Sequence, residues 1–163
     1  MLRLPVRESA PPFPPVRPST DAAHLITLRV GRRGSPLTAA HLASEFHAAL
    51  HLLALEGWWR LRCALLLPRQ VHLIATLTPG TGAEPAAQEL KRRLTPCLQR
   101  AGTTWRPDHA TVQLEHPAEL AEAFRTLHRE PHRAGLCAEG EAWPGYLCAD
   151  DDRAWLGARR AGA

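Results

Sequence analysis

The chain has 163 residues, 45% of them apolar, and a formal net charge of +4. That length suits one domain with a real hydrophobic core, and no apolar run is long enough to span a bilayer or to form the core of a secretory leader. The positive charge favours a polyanionic partner without identifying it, and arginine carries almost all of it, Lys91 being the only lysine.

Residues 1–20 read as a tail, because Pro11, Pro12, Pro14, Pro15 and Pro18 remove backbone donors and favour an extended chain. From His24 the pattern changes: Leu25, Ile26, Leu28 and Val30 predict a first strand, closed by the turn Gly31-Arg32-Arg33-Gly34. Thr38 is placed to cap a helix, with Pro36 just before it. Leu42, Phe46, Leu50 and Leu53 then recur at helical spacing until Gly57. Residues 58–67 predict a second strand, Pro68-Arg69-Gln70 a tight connection, and 71–78 a third strand whose near-continuous apolar run implies burial on both faces.

After the loop Pro79-Gly80-Thr81-Gly82, a second helix is expected over 84–100. Leu90, Leu94 and Leu98 form its core stripe, and Lys91-Arg92-Arg93 crosses its outer face. A short fourth strand follows at 110–114. Pro117 opens a third helix that packs through Leu120, Ala123, Phe124 and Leu127 and stops near Pro131. The order is strand, helix, strand, strand, helix, strand and a further helix. It predicts an α+β domain of the ferredoxin-like, split βαβ kind: an antiparallel sheet with helices on one face and an extra C-terminal helix. The domain is expected over 21–149, with 150–163 as a C-terminal tail.

Cys63, Cys97, Cys137 and Cys148 include no CxxC pair, which argues against a zinc knuckle. Reduced, mostly buried thiols in a cytoplasmic protein are expected. His72 stands in the apolar third strand, and strand alternation turns Gln70 and His72 to the same face. Thr126 and Glu130 lie one turn apart on a flank of the third helix. Taken alone, His72 reads as a buried, hydrogen-bonded histidine and Glu130 as a solvated carboxylate paired with Arg133 or His132. His47 and His51, one turn apart on the first helix, read as a partly buried helical face rather than a metal site.

Two segments together carry a resemblance. The strand PRQVHLIATL (68–77) and the helix end TLHREPHRAGL (126–136) resemble, in the same order, the strand and helix motifs of the HUH single-tyrosine transposases. These include the insertion-sequence-200 type and the REP-associated tyrosine transposases. The stretch TWRPDHATVQLEHPAEL (104–120) and the later Trp143-Pro144-Gly145-Tyr146 extend the similarity, which runs from about His24 to Tyr146.

The resemblance implies a divalent metal, magnesium or manganese, held by two strand histidines and a polar residue one turn after a nucleophilic tyrosine. The metal polarises a phosphodiester and the tyrosine attacks it. On this chain the second histidine is His72, the first is replaced by Gln70, the third ligand matches Glu130, and the tyrosine position is Thr126. Gln70 keeps a carbonyl oxygen and Glu130 is a good hard-metal ligand, so a weakened site remains compatible with the sequence. Thr126 departs further, because an aliphatic alcohol is shorter and far less acidic than a phenol. Tyr146, the only tyrosine, falls in the tail of the resemblance and reads as a packing residue.

The expectation is a DNA-binding protein of the transposase type, without strand transfer, acting on single-stranded or hairpin DNA. Arg29, Arg32, Arg33, Lys91, Arg92, Arg93 and Arg106 are the candidate phosphate contacts, and Trp105 is a candidate base-stacking platform. A solvated set of arginines, with Trp105 covering the core edge, is the competing reading of the same residues. The family also implies a homodimer. Two other functions stay open: a metal-dependent single-strand nicking endonuclease that uses water, and a non-catalytic remnant that pairs only with protein.

Overall fold

The computed structural model describes residues 22–161, with side chains through Trp155; the expected N-terminal tail, 1–20, lies outside the described residues. Nine elements follow in chain order: β1 (Ala23–Val30), α1 (Ala40–Leu55), β2 (Trp59–Leu66), β3 (Gln70–Leu77), α2 (Ala83–Arg100), β4 (Trp105–Leu114), α3 (Pro117–Arg133), β5 (Tyr146–Cys148) and α4 (Asp150–Ala161). The strands form one sheet in the order β4-β1-β3-β2-β5, and every neighbouring pair is antiparallel. This is the predicted α+β, split βαβ arrangement with one short strand added at an edge.

Strand alternation divides the core in two. Ile26, Leu28 and Val30 of β1 and Val71, Leu73 and Ala75 of β3 pack with Leu42, Phe46, Leu50 and Leu53 of α1 and with Leu90, Leu94 and Leu98 of α2. The residues between them face the other way. There Cys63, Leu65 and Ile74 meet Leu120, Phe124 and Leu127 of α3, with Trp155 of α4 packed alongside. The two crossover helices therefore share one face, and the extra helix α3 covers the opposite one. His72 and Gln70 belong to the α3 face.

Several element ends differ from expectation. Thr38 does not cap α1: Ala39 holds that position without a side-chain cap. Beyond the helix end, Gly57 takes φ +80°, as a helix-terminating glycine does. β4 begins at Trp105 rather than 110. It is an edge strand, so Pro107, which has no amide to give to a ladder, can sit within it. α3 starts at Pro117 as expected, with the Glu119 carboxylate accepting from the amides of Glu115 (2.9 Å) and His116 (3.1 Å). It then runs through Pro131 to Arg133 before Gly135 (φ +69°) turns the chain.

The expected C-terminal tail, 150–163, is corrected, because Asp150–Ala161 forms α4. Its anchor is Asp152, whose carboxylate accepts three hydrogen bonds from Arg62 of β2, two of them from Nε at 3.0 and 3.2 Å. Both side chains are buried, and the Arg62 guanidinium also lies 5.8 Å from the centre of the Phe124 ring.

Candidate nucleic-acid and metal site

Four side chains from two central strands set the floor of the site. Register places Thr27 of β1 opposite His72 of β3, and Arg29 opposite Gln70. Opposed residues of an antiparallel pair share a face, so all four side chains point toward α3. Thr27 Oγ1 lies 2.9 Å from His72 Nδ1, within hydrogen-bond distance. That contact fixes the ring and leaves Nε2 as its outward nitrogen.

Burial holds the His72 pKa below that of an ordinary imidazole. The Glu130 carboxylate opposes that shift and the Arg29 guanidinium adds to it. His72 and Glu130, far apart in sequence, are thus close enough for their charges to act on each other. Glu130 is half-buried and makes no ion pair among the described residues. The pairing expected with Arg133 or His132 is absent: His132 Nε2 lies 3.0 Å from the Glu141 carbonyl oxygen instead. A neutral imidazole, a carboxylate and an amide oxygen suit a hard divalent ion, although Arg29 beside them opposes a cation. Among the described residues, no group of three or more His, Cys, Asp and Glu side chains is arranged to hold a metal. His47 and His51 line a cleft with Arg60 and Arg153 and belong to no such group.

Thr126 is exposed, one turn before Glu130, beside Leu25 and Ala123. The Glu122 carboxylate, one turn earlier on the helix, is held by Arg125 Nε at 3.0 Å. Tyr146 stands on β5, in the same cross-sheet row as His72, separated from it by Leu65. It is half-buried beside Cys63 and Cys148, and packed edge-to-face on His128 at 5.4 Å between ring centres. Burial pushes its phenol well above the usual range, and it pushes the Cys63 thiol up to about 12. Both stay protonated at neutral pH. All four cysteines are free, with Cys63 and Cys97 buried and Cys137 and Cys148 half-buried.

The cationic residues divide sharply. Lys91 is not on the outer face of α2: it is 7% exposed, and Nζ donates to the carbonyls of Arg106 (3.0 Å) and Pro107 (3.1 Å). Arg92 is held by Glu89 at 2.7 Å, and Arg93 by Glu89 at 2.8 Å and by Glu56 at 2.9 Å. Trp105 donates from Nε1 to the Lys91 carbonyl at 3.0 Å and packs edge-to-face on Phe46. Its ring therefore serves the core edge.

Arg29 and Arg106 share Asp108, at 3.7 and 3.1 Å. Arg32 and Arg33 are exposed and have no carboxylate partner among the described residues. The same holds for Arg129 and Arg133, which line a cleft of about 630 Å³ with His128 and His132. Arg129 and Arg133 are not among the contacts expected from the sequence, although their spacing on a helix with a clear apolar stripe places them outside the core.

No family model matches the chain, and no curated protein matches it. Among solved structures, a REP-associated tyrosine transposase bound to a REP hairpin is similar over 77% of this chain and 76% of that one, with TM-score 0.66 and 16% identity. A protein assigned as a transposase from Deinococcus radiodurans R1 matches more loosely. It has TM-score 0.47 and 20% identity over 66% of this chain and 90% of that one, below the level that establishes a common fold. The chain thus has the fold of the REP-associated transposase structure. Among the described residues, no helix is long and apolar enough to cross a membrane.

Proposed function

We propose that the chain is a DNA-binding protein of the single-tyrosine transposase type that forms no covalent link to DNA. The observation that carries this reading is the helix flank at Thr126 and Glu130. The carboxylate shares the environment of His72, while the position one turn earlier offers only an exposed alcohol. That alcohol is short and exposed, the neighbouring Glu122 carboxylate is engaged by Arg125, and the one phenol of the chain is kept protonated by burial. The structural relative was solved with a hairpin, and on this fold single-stranded or hairpin DNA is the preferred ligand here. Arg32 and Arg33 are the best-placed phosphate contacts, with Arg29 and Arg106 partly neutralised by Asp108.

His72, Gln70 and Glu130 would hold magnesium or manganese weakly, and a bound ion would supply Lewis-acid polarisation of a phosphodiester oxygen. Thr27 fixes the His72 ring for that role, and burial keeps the imidazole neutral. Homodimer formation and a cytoplasmic location belong to the same proposal, and sedimentation equilibrium of the full chain tests the first.

The functional test incubates the full chain with a labelled DNA hairpin carrying a single-stranded 5′ extension, with and without manganese. A salt-dependent anisotropy change, with no covalent adduct after denaturation, is the expected result. An adduct that disappears in Thr126→Ala overturns the reading. Nicked DNA without an adduct instead identifies a nicking endonuclease that uses water at the same residues, and the absence of any salt-dependent binding identifies a protein-interaction remnant.

A further inference from the structure

The β1–α1 loop carries a feature the site above does not use. Arg69, in the β2–β3 turn, sends its guanidinium into the concave side of residues 31–35. Nη1 donates to the carbonyls of Gly31 (3.2 Å), Arg33 (3.1 Å) and Ser35 (3.3 Å), and Nη2 donates to that of Gly34 (2.9 Å). In a trans peptide the carbonyl and the following amide point in opposite directions. With the Gly31 and Arg33 carbonyls turned in to the guanidinium, the amides of Arg32 and Gly34 are turned out. The Ser35 amide is used elsewhere, donating to the Ala101 carbonyl at 3.0 Å.

The loop is fixed on several sides. The Gly31 amide donates to Thr104 O at 2.9 Å, and the Leu37 amide donates to Pro68 O at 2.9 Å. Gly34 has φ +79°, and a Cβ there would lie 2.4 Å from the Gly102 backbone, so the loop passes directly against the α2–β4 turn. On the outer side stand Arg32 and Arg33, exposed and without carboxylate partners among the described residues. Arg92, Arg93, Arg106 and Arg125, by contrast, are each paired with an acid.

We propose that residues 31–35 form a preorganised phosphate-binding loop, in which the amides of Arg32 and Gly34 and the side chains of Arg32 and Arg33 receive a phosphodiester, and that Arg69 is its positioning residue. Four of the loop's carbonyls, those of Gly31, Arg33, Gly34 and Ser35, are gathered behind it on a cation, which leaves the Arg32 and Gly34 amides and two guanidinium groups to meet an anion. The proposal rests on the DNA-binding reading for the identity of its ligand, but not for its geometry.

Two measurements on the full chain test it. The first follows the backbone amides by NMR during titration with inorganic phosphate, against chloride at equal ionic strength. The Arg32 and Gly34 amides are expected to shift with phosphate alone, and unchanged amides overturn the proposal whatever the DNA result. The second measures hairpin affinity against salt. Each single-strand phosphate contact contributes a slope of about 0.7, so Arg32→Ala/Arg33→Ala should lower the slope by ~1.4 and the affinity about 25-fold at about 0.1 M salt.

Arg69→Lys keeps the charge but replaces the planar fork that reaches four carbonyls with a single point donor. It is expected to weaken binding in the wild type and to cost less in the Arg32→Ala/Arg33→Ala background, where only the backbone amides remain to be positioned. A purely structural Arg69 would give additive losses, which overturn its assigned role. Intact DNA binding with an unchanged slope in Arg32→Ala/Arg33→Ala refutes the loop while sparing the functional reading. A wild-type chain that binds no DNA at any salt, yet shows the phosphate shifts, refutes the functional reading while sparing the loop.

Discussion

Asp152→Ala is the perturbation that most sharply tests how the C-terminal segment is attached. Asp152 is 3% exposed and Arg62 1% exposed, so removing the carboxylate leaves a guanidinium in the core with its main partner gone. Arg62 Nη1 has no hydrogen-bond partner among the described residues, and no acceptor other than Asp152 bonds the group among them, so little local compensation is at hand. Breaking one side of a buried pair costs about 3–5 kcal/mol. For a chain of this size that corresponds to a fall in Tm of roughly 6–20 °C.

Chemical denaturation followed by far-UV circular dichroism, with wild-type and variant slopes compared, gives the cost directly. Replacing both partners in Arg62→Met/Asp152→Leu should return most of the loss, since a buried pair and an apolar pair of similar volume are often close in energy. A cost below about 1 kcal/mol for Asp152→Ala, the range of an exposed pair, would refute the docking of α4 on β2.

Trp105→Phe keeps the apolar contact with Phe46 but loses the hydrogen bond to the Lys91 carbonyl, so a destabilisation of about 1 kcal/mol is expected with DNA affinity unchanged; a large loss of affinity would restore Trp105 as a stacking platform. The Glu89 carboxyl, hydrogen-bonded by Arg92 and Arg93, is held down at about 2 against an ordinary 4.5. A depressed carboxyl stabilises the fold above its unfolded pKa, and that stabilisation disappears as pH falls from about 4.5 toward 2. The stability–pH profile over that window should therefore be flatter in Glu89→Gln than in the wild type. Thr126→Ala should leave hairpin affinity within about twofold, because a small exposed alcohol makes no phosphate contact in this account.

The central fold was legible because its signals are local. The apolar alternation of β1, the helical spacing of Leu42, Phe46, Leu50 and Leu53, and the Pro117 start of α3 each state their element within a few residues. β5 was not legible: three residues have no measurable period, and the strand exists only because β2 offers an edge. α4 reads as a tail in the sequence because it shows no clear apolar stripe. Its docking depends on one long-range pair, and the clue lay elsewhere, in Arg62, the second of two arginines in the strand WRLRCALL and the one that adjoins its apolar half.

The placement of Lys91 was readable in principle, since Ala87, Leu90, Lys91, Leu94 and Leu98 follow the spacing of one buried stripe. The basic triplet drew attention to charge instead. For the site itself, strand parity put Gln70 and His72 on one face and helix periodicity put Thr126 beside Glu130. That α3 lies over that face, and that Thr27 and Arg29 complete the floor, are tertiary facts. Partner choice in a sheet sets them, and a single strand does not encode it.

The account depends most on His72 and Glu130 occupying one environment. Titration of the His72 ring by NMR, in the wild type and in Glu130→Gln, measures this directly. In the wild type the pKa should lie below 6.5, since burial disfavours the imidazolium. Removing the Glu130 charge takes away the interaction that opposes burial, so the pKa should fall further in Glu130→Gln and rise in Arg29→Gln. A His72 titration identical in wild type and Glu130→Gln would place the two groups in separate environments and contradict the site.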